Sequence, residues 1–294
     1  MFTSPVHYRS GASRWISLAL LVLLVGCSST TFFYNRLDTL IGWYVSDYVS
    51  LTRDQDALFD KQLEALHDWH RREELPRYIS LLNATDDSLN NPLTDTELAA
   101  LYDRFLTAAE RLRVKMTAIA IDFGRELTLE QRLEFVASIR ANQQTWYDER
   151  VDMSDDEYRK LLVNRFTDNL ADFLGRLNDE QRHLIAERTQ AMMRLHEEWH
   201  AQRTRWLDRL EAALRDNPEN WQEPTRRALD SWDSDQTEAY RATLAHNQII
   251  SRKLILDIVN SRTPRQDQRL RGVIADYRDD FTSLLPAELS SVEQ

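Results

Sequence analysis

The chain has 294 residues and is acidic, with 48 Asp and Glu residues against 37 Lys and Arg residues and a net charge of −11. This charge argues against nucleic acid and against anionic lipid surfaces as electrostatic partners. A single cysteine excludes a disulfide framework within the chain, and only six glycines in the whole sequence favour helix over sheet.

Residues 1–26 have the three parts of a secretory signal. Arg9 and Arg14 form a basic start without acidic residues, and an apolar run extends from Trp15 to Val25 before a small residue, Gly26. The run is shorter than the roughly 20 residues that cross a bilayer. We therefore predict a cleaved lipoprotein signal peptide over residues 1–26. The alternatives are an ordinary cleaved signal peptide with a chance cysteine after it and an interfacial anchor.

The only cysteine, Cys27, directly follows Leu24, Val25 and Gly26, and this stretch resembles the lipobox of bacterial lipoproteins. The resemblance implies cleavage after Gly26 and lipidation of Cys27. It also implies an outer-membrane location facing the periplasm, because Ser28 and not Asp follows the cysteine. The predicted parts of the chain are the signal peptide over 1–26, a lipidated tether over 27–34, a helical periplasmic domain over 35–286 and a flexible tail over 287–294.

Apolar residues recur three and four positions apart through most of the chain, which predicts an all-α fold, an elongated bundle of about seven to nine helices. A first helix carries Leu37 and Ile41 on one face, and a second runs from Thr52 to about Glu74, where Pro76 should end or restart it. The helix over 94–126 has Phe105 on its apolar face. Further helices are predicted over 128–150 and 154–177, over 178–215 as one helix of about 57 Å, and over 234–261 and 264–284, with a linker between 215 and 234.

Several predicted helices begin with the same pattern, a Leu, then a capping Thr or Asn, then a Gln three residues after the cap. The cap side chain accepts from the third amide of the helix and the Gln reaches back, which stabilises a helix start by about 1 kcal/mol. Ordinary capping explains such a repeat. The pattern also resembles the Leu-Thr-x-x-Gln motif of Spy and CpxP-like periplasmic proteins, which are helical chaperones and envelope-stress regulators. Its members here are Leu51, Thr52 and Gln55; Leu127, Thr128 and Gln131; and Leu177, Asn178 and Gln181.

The lipobox and two later segments of the N-terminal third, residues 33–38 and 69–78, resemble a family of uncharacterised proteobacterial outer-membrane lipoproteins. That resemblance supplies no activity. With the predicted lipid anchor and the repeated cap pattern, we predict a non-enzymatic role in protein binding, as a chaperone-like, envelope-stress or envelope-integrity factor. The expected partners are the membrane, through the N-terminal lipid, and a periplasmic protein or client; no cofactor and no nucleic acid are expected.

One motif supports an enzymatic alternative. Residues 196–200 match the pattern H-E-x-x-H, in which His196 and His200 lie one helical turn apart and can bind zinc, while Glu197 serves as general base. A zinc-dependent hydrolase would need a third ligand, and Glu219 and Glu223 are the nearest acids downstream. A structural explanation is that both histidines border the apolar stripe of a helix.

Two weaker metal candidates have structural explanations as well. His67 and His70 could supply half of a metal site, or they could be polar residues that flank Trp69. The acidic residues between 148 and 157 could attract calcium, but they also suit the start of a helix after Ser154.

Overall fold

The computed structural model describes residues 34–234 and 236–290. Within these ranges the chain is helical and contains no strand, which confirms the predicted all-α multi-helix bundle. The signal peptide with Leu24, Val25 and Gly26, and the lipidation site Cys27, lie outside the described residues. No described helix is long and apolar enough to cross a membrane.

The helices follow one another through short connections. The predicted tail over 287–294 begins with a short helix, and residues 291–294 lie outside the described residues. In chain order the helices are α1 (Leu37–Ser46), α2 (Arg53–Trp69), a π-helical turn (His70–Glu74), α3 (Leu75–Ser88), α4 (Asp95–Gly124), α5 (Leu129–Val151), α6 (Asp155–Leu174), α7 (Asp179–Thr189), α8 (His196–Arg215), α9 (Gln222–Asp230), α10 (Glu238–Asn260), α11 (Pro264–Ser283) and α12 (Ala287–Ser290).

Capping boxes start many of these helices. In each one the N-cap side chain accepts from the amide of the third helical residue, and the side chain of that residue accepts from the N-cap amide. The N-cap residues are Thr52, Thr94, Thr128, Ser154, Asn178 and Thr263.

The chain passes from α2 to α3 through a π-helical turn. The amide of Leu75 donates to the carbonyl of His70, five residues earlier, and Pro76 lies in the first turn of α3. In a regular α-helix the proline ring would clash with the carbonyl of Arg72. The wider π turn avoids this clash. The chain therefore continues directly from the π-helical turn into α3, with Pro76 in the first turn of α3.

The predicted single helix over 178–215 is wrong, because the structure has two helices, α7 and α8, with a break at 190–195. Side chains of α10 bond to the backbone of the break. Asn247 accepts from the amide of Met193 at 2.9 Å and donates to its carbonyl at 2.7 Å, and His246 Nε2 lies 2.9 Å from the carbonyl oxygen of Ala191. These tertiary bonds replace the helical ones that the break removes.

The predicted linker between residues 215 and 234 contains a helix, α9. Pro224 lies in its first turn, where the missing amide hydrogen removes no helical bond. The helix is held by packing, since Trp221 and Ala228 are buried with Trp206 of α8, whose indole donates to the Ala228 carbonyl at 2.8 Å.

The core is divided into five buried clusters, and the long helix α4 joins three of them. With 30 residues, α4 is about 45 Å long. Leu101 packs near its start, and Met116, Ile121 and Phe123 pack near its end. In the described core, none of the five clusters includes an α4 residue between Leu101 and Met116.

Candidate binding site on helix α4

The first half of α4 carries three exposed large apolar side chains, which we call the α4 patch: Tyr102, Phe105 and Leu106, exposed by 47%, 44% and 45%. Their spacing of three and four residues places them on neighbouring parts of one helix face. Phe105 belongs to the predicted apolar face of this helix, yet the structure does not bury it. The reason is that α10 packs near Leu101 and α9 packs near Ile121, so the middle of the face is left open.

Two ion pairs join α4 to the flanking helices on either side of residues 102–107. Arg252 of α10 lies 2.9 Å from Asp95 at the start of α4, and Arg113 lies 2.8 Å from Asp230 at the end of α9. Residues 102–107 between these points are all exposed. The α4 patch therefore lies on an exposed stretch of helix between two packed regions.

A pocket of about 390 Å³, the α3–α4 pocket, lies on a different side of α4 from most of the patch. Arg104, Ala108 and Arg111 share one face of α4 and form one wall, and α3 forms the other. The lining residues are Pro76, Arg77, Tyr78, Ser80, Leu81, Arg104, Thr107, Ala108 and Arg111.

A fully buried carboxylate, that of Glu74, holds two arginines of this pocket. Its Oε1 accepts from Arg77 Nη1 and from Arg111 Nε, both at 2.7 Å, and its Oε2 accepts from Arg111 Nη2 at 2.7 Å. Burial by itself would raise the pKa of Glu74, but the hydrogen bonds and charges of Arg111 and Arg77 hold this pKa below its usual value. Glu74 is the last residue of the π-helical turn, so the irregular turn carries the buried acid.

The π-helical turn also contacts the N-terminal end of the described chain. The hydroxyl of Tyr34 lies 2.7 Å from Nδ1 of His70, the ring of Tyr34 packs on that of His67 at 4.5 Å, and Arg71 donates to Asn35. Burial lowers the pKa of His70 to about 4 against the opposing charge of Glu74, so this histidine is neutral at pH 7. The described part of the first sequence segment that resembles the lipoprotein family, through Tyr34 and Asn35, thus contacts the second segment, 69–78.

The H-E-x-x-H residues lie at the start of α8. His196 is buried and its Nε2 has no hydrogen-bond partner among the described residues, while His200 stacks on Tyr147 with ring centroids 4.1 Å apart. In the part of the chain that the structure describes, no group of three His, Cys, Asp or Glu side chains could hold a metal ion. The third ligand that the zinc alternative needs, whether Glu219 or Glu223, is not brought to the histidines, and Glu197 is exposed.

The glutamines of the repeated cap pattern bond to one another in pairs. Gln55 Nε2 donates to Gln131 Oε1 at 3.0 Å, and Gln131 Nε2 donates back to Gln55 Oε1 at 2.8 Å. Each Oε1 also accepts from the amide of its own N-cap residue, Thr52 or Thr128, at 2.9 Å. The pair therefore joins the first turn of α2 to the first turn of α5.

A second pair joins the first turns of α7 and α11 in the same way. Gln181 and Gln266 exchange side-chain hydrogen bonds of 3.1 and 2.8 Å, and each accepts from its own N-cap amide. Sequence reasoning missed this fourth copy because Arg262, and not Leu, precedes its cap, Thr263. The spacing of Thr263 and Gln266 alone could have revealed it. The glutamines of the cap pattern thus join the first turns of helices that are distant in sequence, α2 with α5 and α7 with α11.

Comparison with known protein families gives a match. Residues 47–241 match a family of unknown function, DUF6279, and this range contains the π-helical turn, the α3–α4 pocket and the α4 patch. No curated protein and no solved structure matches the chain. The family match gives no information on the predicted lipidation or on the resemblance to Spy and CpxP-like proteins. Because it covers more than half of the sequence, the chain belongs to the DUF6279 family.

Proposed function

We propose that this protein is a non-enzymatic, lipid-anchored protein of the periplasm that binds another protein through the α4 patch, in a chaperone-like or envelope-integrity role. One observation carries the proposal: three large apolar side chains are exposed together on a stretch of α4 that lies between two packed segments. Clustered exposed apolar side chains are typical of surfaces that contact other proteins. Aromatic residues such as Tyr102 and Phe105 are enriched in such contacts.

The N-terminal sequence supports the anchor. A basic start, an apolar run and the lone Cys27 after Gly26 are the features on which the outer-membrane, periplasm-facing location depends. In cells fed a clickable palmitate analogue, we expect the wild-type chain to become labelled and the Cys27→Ser variant to remain unlabelled. Equal labelling of both chains would place the lipid elsewhere, and an unlabelled wild-type chain would contradict the anchor.

Client binding is tested by light scattering of an unfolding client protein. We expect the wild-type protein to suppress aggregation at a near-stoichiometric ratio. A variant that combines Tyr102→Ser, Phe105→Ser and Leu106→Ser should lose most of this suppression, because it removes the apolar surface.

A second triple variant is the matched control. Leu161, Met193 and Ile249 are also exposed apolar residues but lie on other helices or loops, so their replacement by Ser should leave suppression unchanged. If the wild-type protein does not suppress aggregation, general client binding is wrong. If both variants suppress as well as the wild type, the α4 patch is not the binding surface.

A further inference from the structure

The α3–α4 pocket concentrates positive charge in an acidic protein. The arginines that line it are Arg77, Arg104 and Arg111, and the acids that contact them are the buried Glu74 and the exposed Glu73. Three arginines against two acids leave an excess of one positive charge in the pocket, although the chain as a whole has a net charge of −11. This local excess favours an anionic ligand.

Two of the arginines have hydrogen-bond donors left over for a ligand. Arg111 binds Glu74 through Nε and Nη2, which fixes the plane of its guanidinium and leaves Nη1 for another acceptor. Arg104 pairs with no acid among the described residues, and its Nη2 makes one weak contact, 3.4 Å from the Ser80 hydroxyl. The pocket therefore combines an arginine that is held in place with one that is able to move toward a ligand.

Polar side chains reach the pocket from both of its walls. Arg104 and Arg111 lie two turns apart on one face of α4, about 10.5 Å along its axis. The lining residues between them, Thr107 and Ala108, have short side chains, which leaves room for a ligand between the two arginines. Ser80 adds its hydroxyl from the α3 wall, next to Arg104. A ligand in the pocket is thus within reach of donors on two helices.

This arrangement suits a phosphate group. The oxygens of a phosphate point in tetrahedral directions, so one group is able to accept from both walls at once, whereas a carboxylate offers two oxygens on one side only. Guanidinium groups bind phosphate through paired hydrogen bonds. The volume of about 390 Å³ falls in the range of small-ligand sites, so the pocket has room for a phosphate together with the alcohol esterified to it.

Ring contacts connect the pocket to the N-terminal end of the described chain. The ring of Tyr78, a lining residue, lies 5.4 Å from that of His70, which lies 5.6 Å from that of Tyr34. The Tyr34 and Tyr78 rings are therefore no more than about 11 Å apart. Cys27 precedes Tyr34 by seven residues, which span at most about 25 Å. A lipid on Cys27 would thus keep the pocket near the phosphate groups of the membrane, at a high effective concentration.

We propose that the α3–α4 pocket binds a phosphate group, carried either by the headgroup of a membrane phospholipid or by a soluble phosphate. Arg104 and Arg111 donate to the phosphate oxygens, and Ser80 adds an uncharged donor. The site is separate from client binding, because the pocket lies on a different side of α4 from most of the α4 patch. Only the lipid source rests on the proposed function, through its anchor.

Phosphorus NMR of the full chain, purified in a phosphate-free detergent, tests the proposal. The probes are inorganic phosphate and glycerophosphoglycerol, which is a phospholipid headgroup without its acyl chains. We expect saturable broadening of a probe's phosphorus line, and an equal concentration of acetate should leave this broadening unchanged. Broadening of the glycerophosphoglycerol line assigns a lipid headgroup as the source, because the site then accepts a phosphodiester. Broadening of the inorganic phosphate line alone assigns a soluble phosphate.

Three variants locate the site. Arg104→Gln leaves the bonds of Glu74 intact and should raise the dissociation constant of the bound probe at least tenfold. Ser80→Ala removes an uncharged donor and should raise it about threefold without any change in charge. Arg125→Gln makes the same change of charge as Arg104→Gln on an exposed arginine outside the pocket, and should leave the dissociation constant unchanged.

A wild-type chain that broadens neither phosphorus line would overturn the phosphate site. Reversal of the broadening by an equal concentration of acetate would also overturn it, because the pocket would then accept any small anion. Equal effects of Arg104→Gln and Arg125→Gln would reduce the binding to general electrostatic attraction and overturn the site as well. The proposed function is judged separately, since palmitate labelling tests the anchor and the α4 patch variant tests client binding.

Discussion

Glu74 and Glu73 are adjacent acids with different surroundings. Glu74 is fully buried between Arg77 and Arg111, whereas 53% of the Glu73 side chain is exposed. Glu74→Gln leaves two arginines facing an uncharged group, and we expect it to lower the free energy of unfolding by about 3 kcal/mol. This is the low end for breaking a buried pair, because both arginines keep contact with water. Urea denaturation of the chain lacking residues 1–27 measures the loss.

The neighbouring Glu73→Gln variant is the control, and we expect it to cost about 0.5 kcal/mol or less, as exposed pairs do. The difference also depends on pH. Since the pKa of Glu74 is below its usual value of 4.5, its contribution is complete above that pH and is lost as the pH falls through the lowered pKa. Wild type and Glu74→Gln should therefore converge in acid. A larger loss for Glu73→Gln at neutral pH would contradict the assigned roles.

The sequence predicts individual helix caps better than it predicts which polar residues are buried. Thr52, Thr128 and Asn178 are recognisable because a capping box depends only on residues three positions apart. The burial of Glu74 depends on the π-helical turn, which adds a residue to the helix and rotates everything after it. No local spacing distinguishes Glu74 from Glu73, so the site around it could not be predicted.

Paired caps link helices that are distant in sequence. The variant Gln131→Glu removes the hydrogen bonds between the two helix starts but keeps the capping bond within α5. The carboxylate of Glu can still accept from the Thr128 amide, but it cannot donate to the Ser50 carbonyl at 2.7 Å or to Gln55 at 2.8 Å. With about 1 kcal/mol for each lost bond, we expect the free energy of unfolding to fall by about 2 kcal/mol. Chemical denaturation again provides the measurement.

The capping box of α4 is the control for this variant. Glu97 caps at Thr94, and no hydrogen bond joins it to a second box within the described residues. Glu97→Gln exchanges the two residue types that a capping box accepts, and we expect a change below about 0.5 kcal/mol. Similar losses for Gln131→Glu and Glu97→Gln would mean that the third helical residue acts only within its own helix.

The sequence predicts most of the helices themselves. It predicts the residue at which a helix ends less well where side chains distant in sequence determine that end. The helices over 94–126, 128–150 and 264–284 agree closely with α4, α5 and α11, since each has a cap and an apolar period. The break before α8 depends on Asn247 and His246, about 55 residues further along the chain. The spacing of apolar residues within 178–215 could not predict those hydrogen bonds, because their side chains lie outside this range.

At the scale of the whole molecule, α4 connects clusters that would otherwise have few contacts. Its first turns belong to a cluster with α10 and α11, and its last turns belong to clusters with α2, α5 and α8. Between these ends Ala108 of α4 is buried and Arg111 bonds to Glu74, whereas residues 102–107 are exposed. A partner can therefore contact residues 102–107 at little cost in stability.

Two phenylalanines of α4 test this division. Phe123 is 6% exposed and its ring centroid lies 4.8 Å from that of Phe59, whereas Phe105 is 44% exposed. Truncating a buried Phe to Ala costs about 3–5 kcal/mol, so we expect a loss of this size for Phe123→Ala and a loss below about 1 kcal/mol for Phe105→Ala in thermal or urea denaturation. If Phe105→Ala destabilises the protein as much as Phe123→Ala, the middle of α4 is part of the core in solution. The α4 patch would then be closed to a partner.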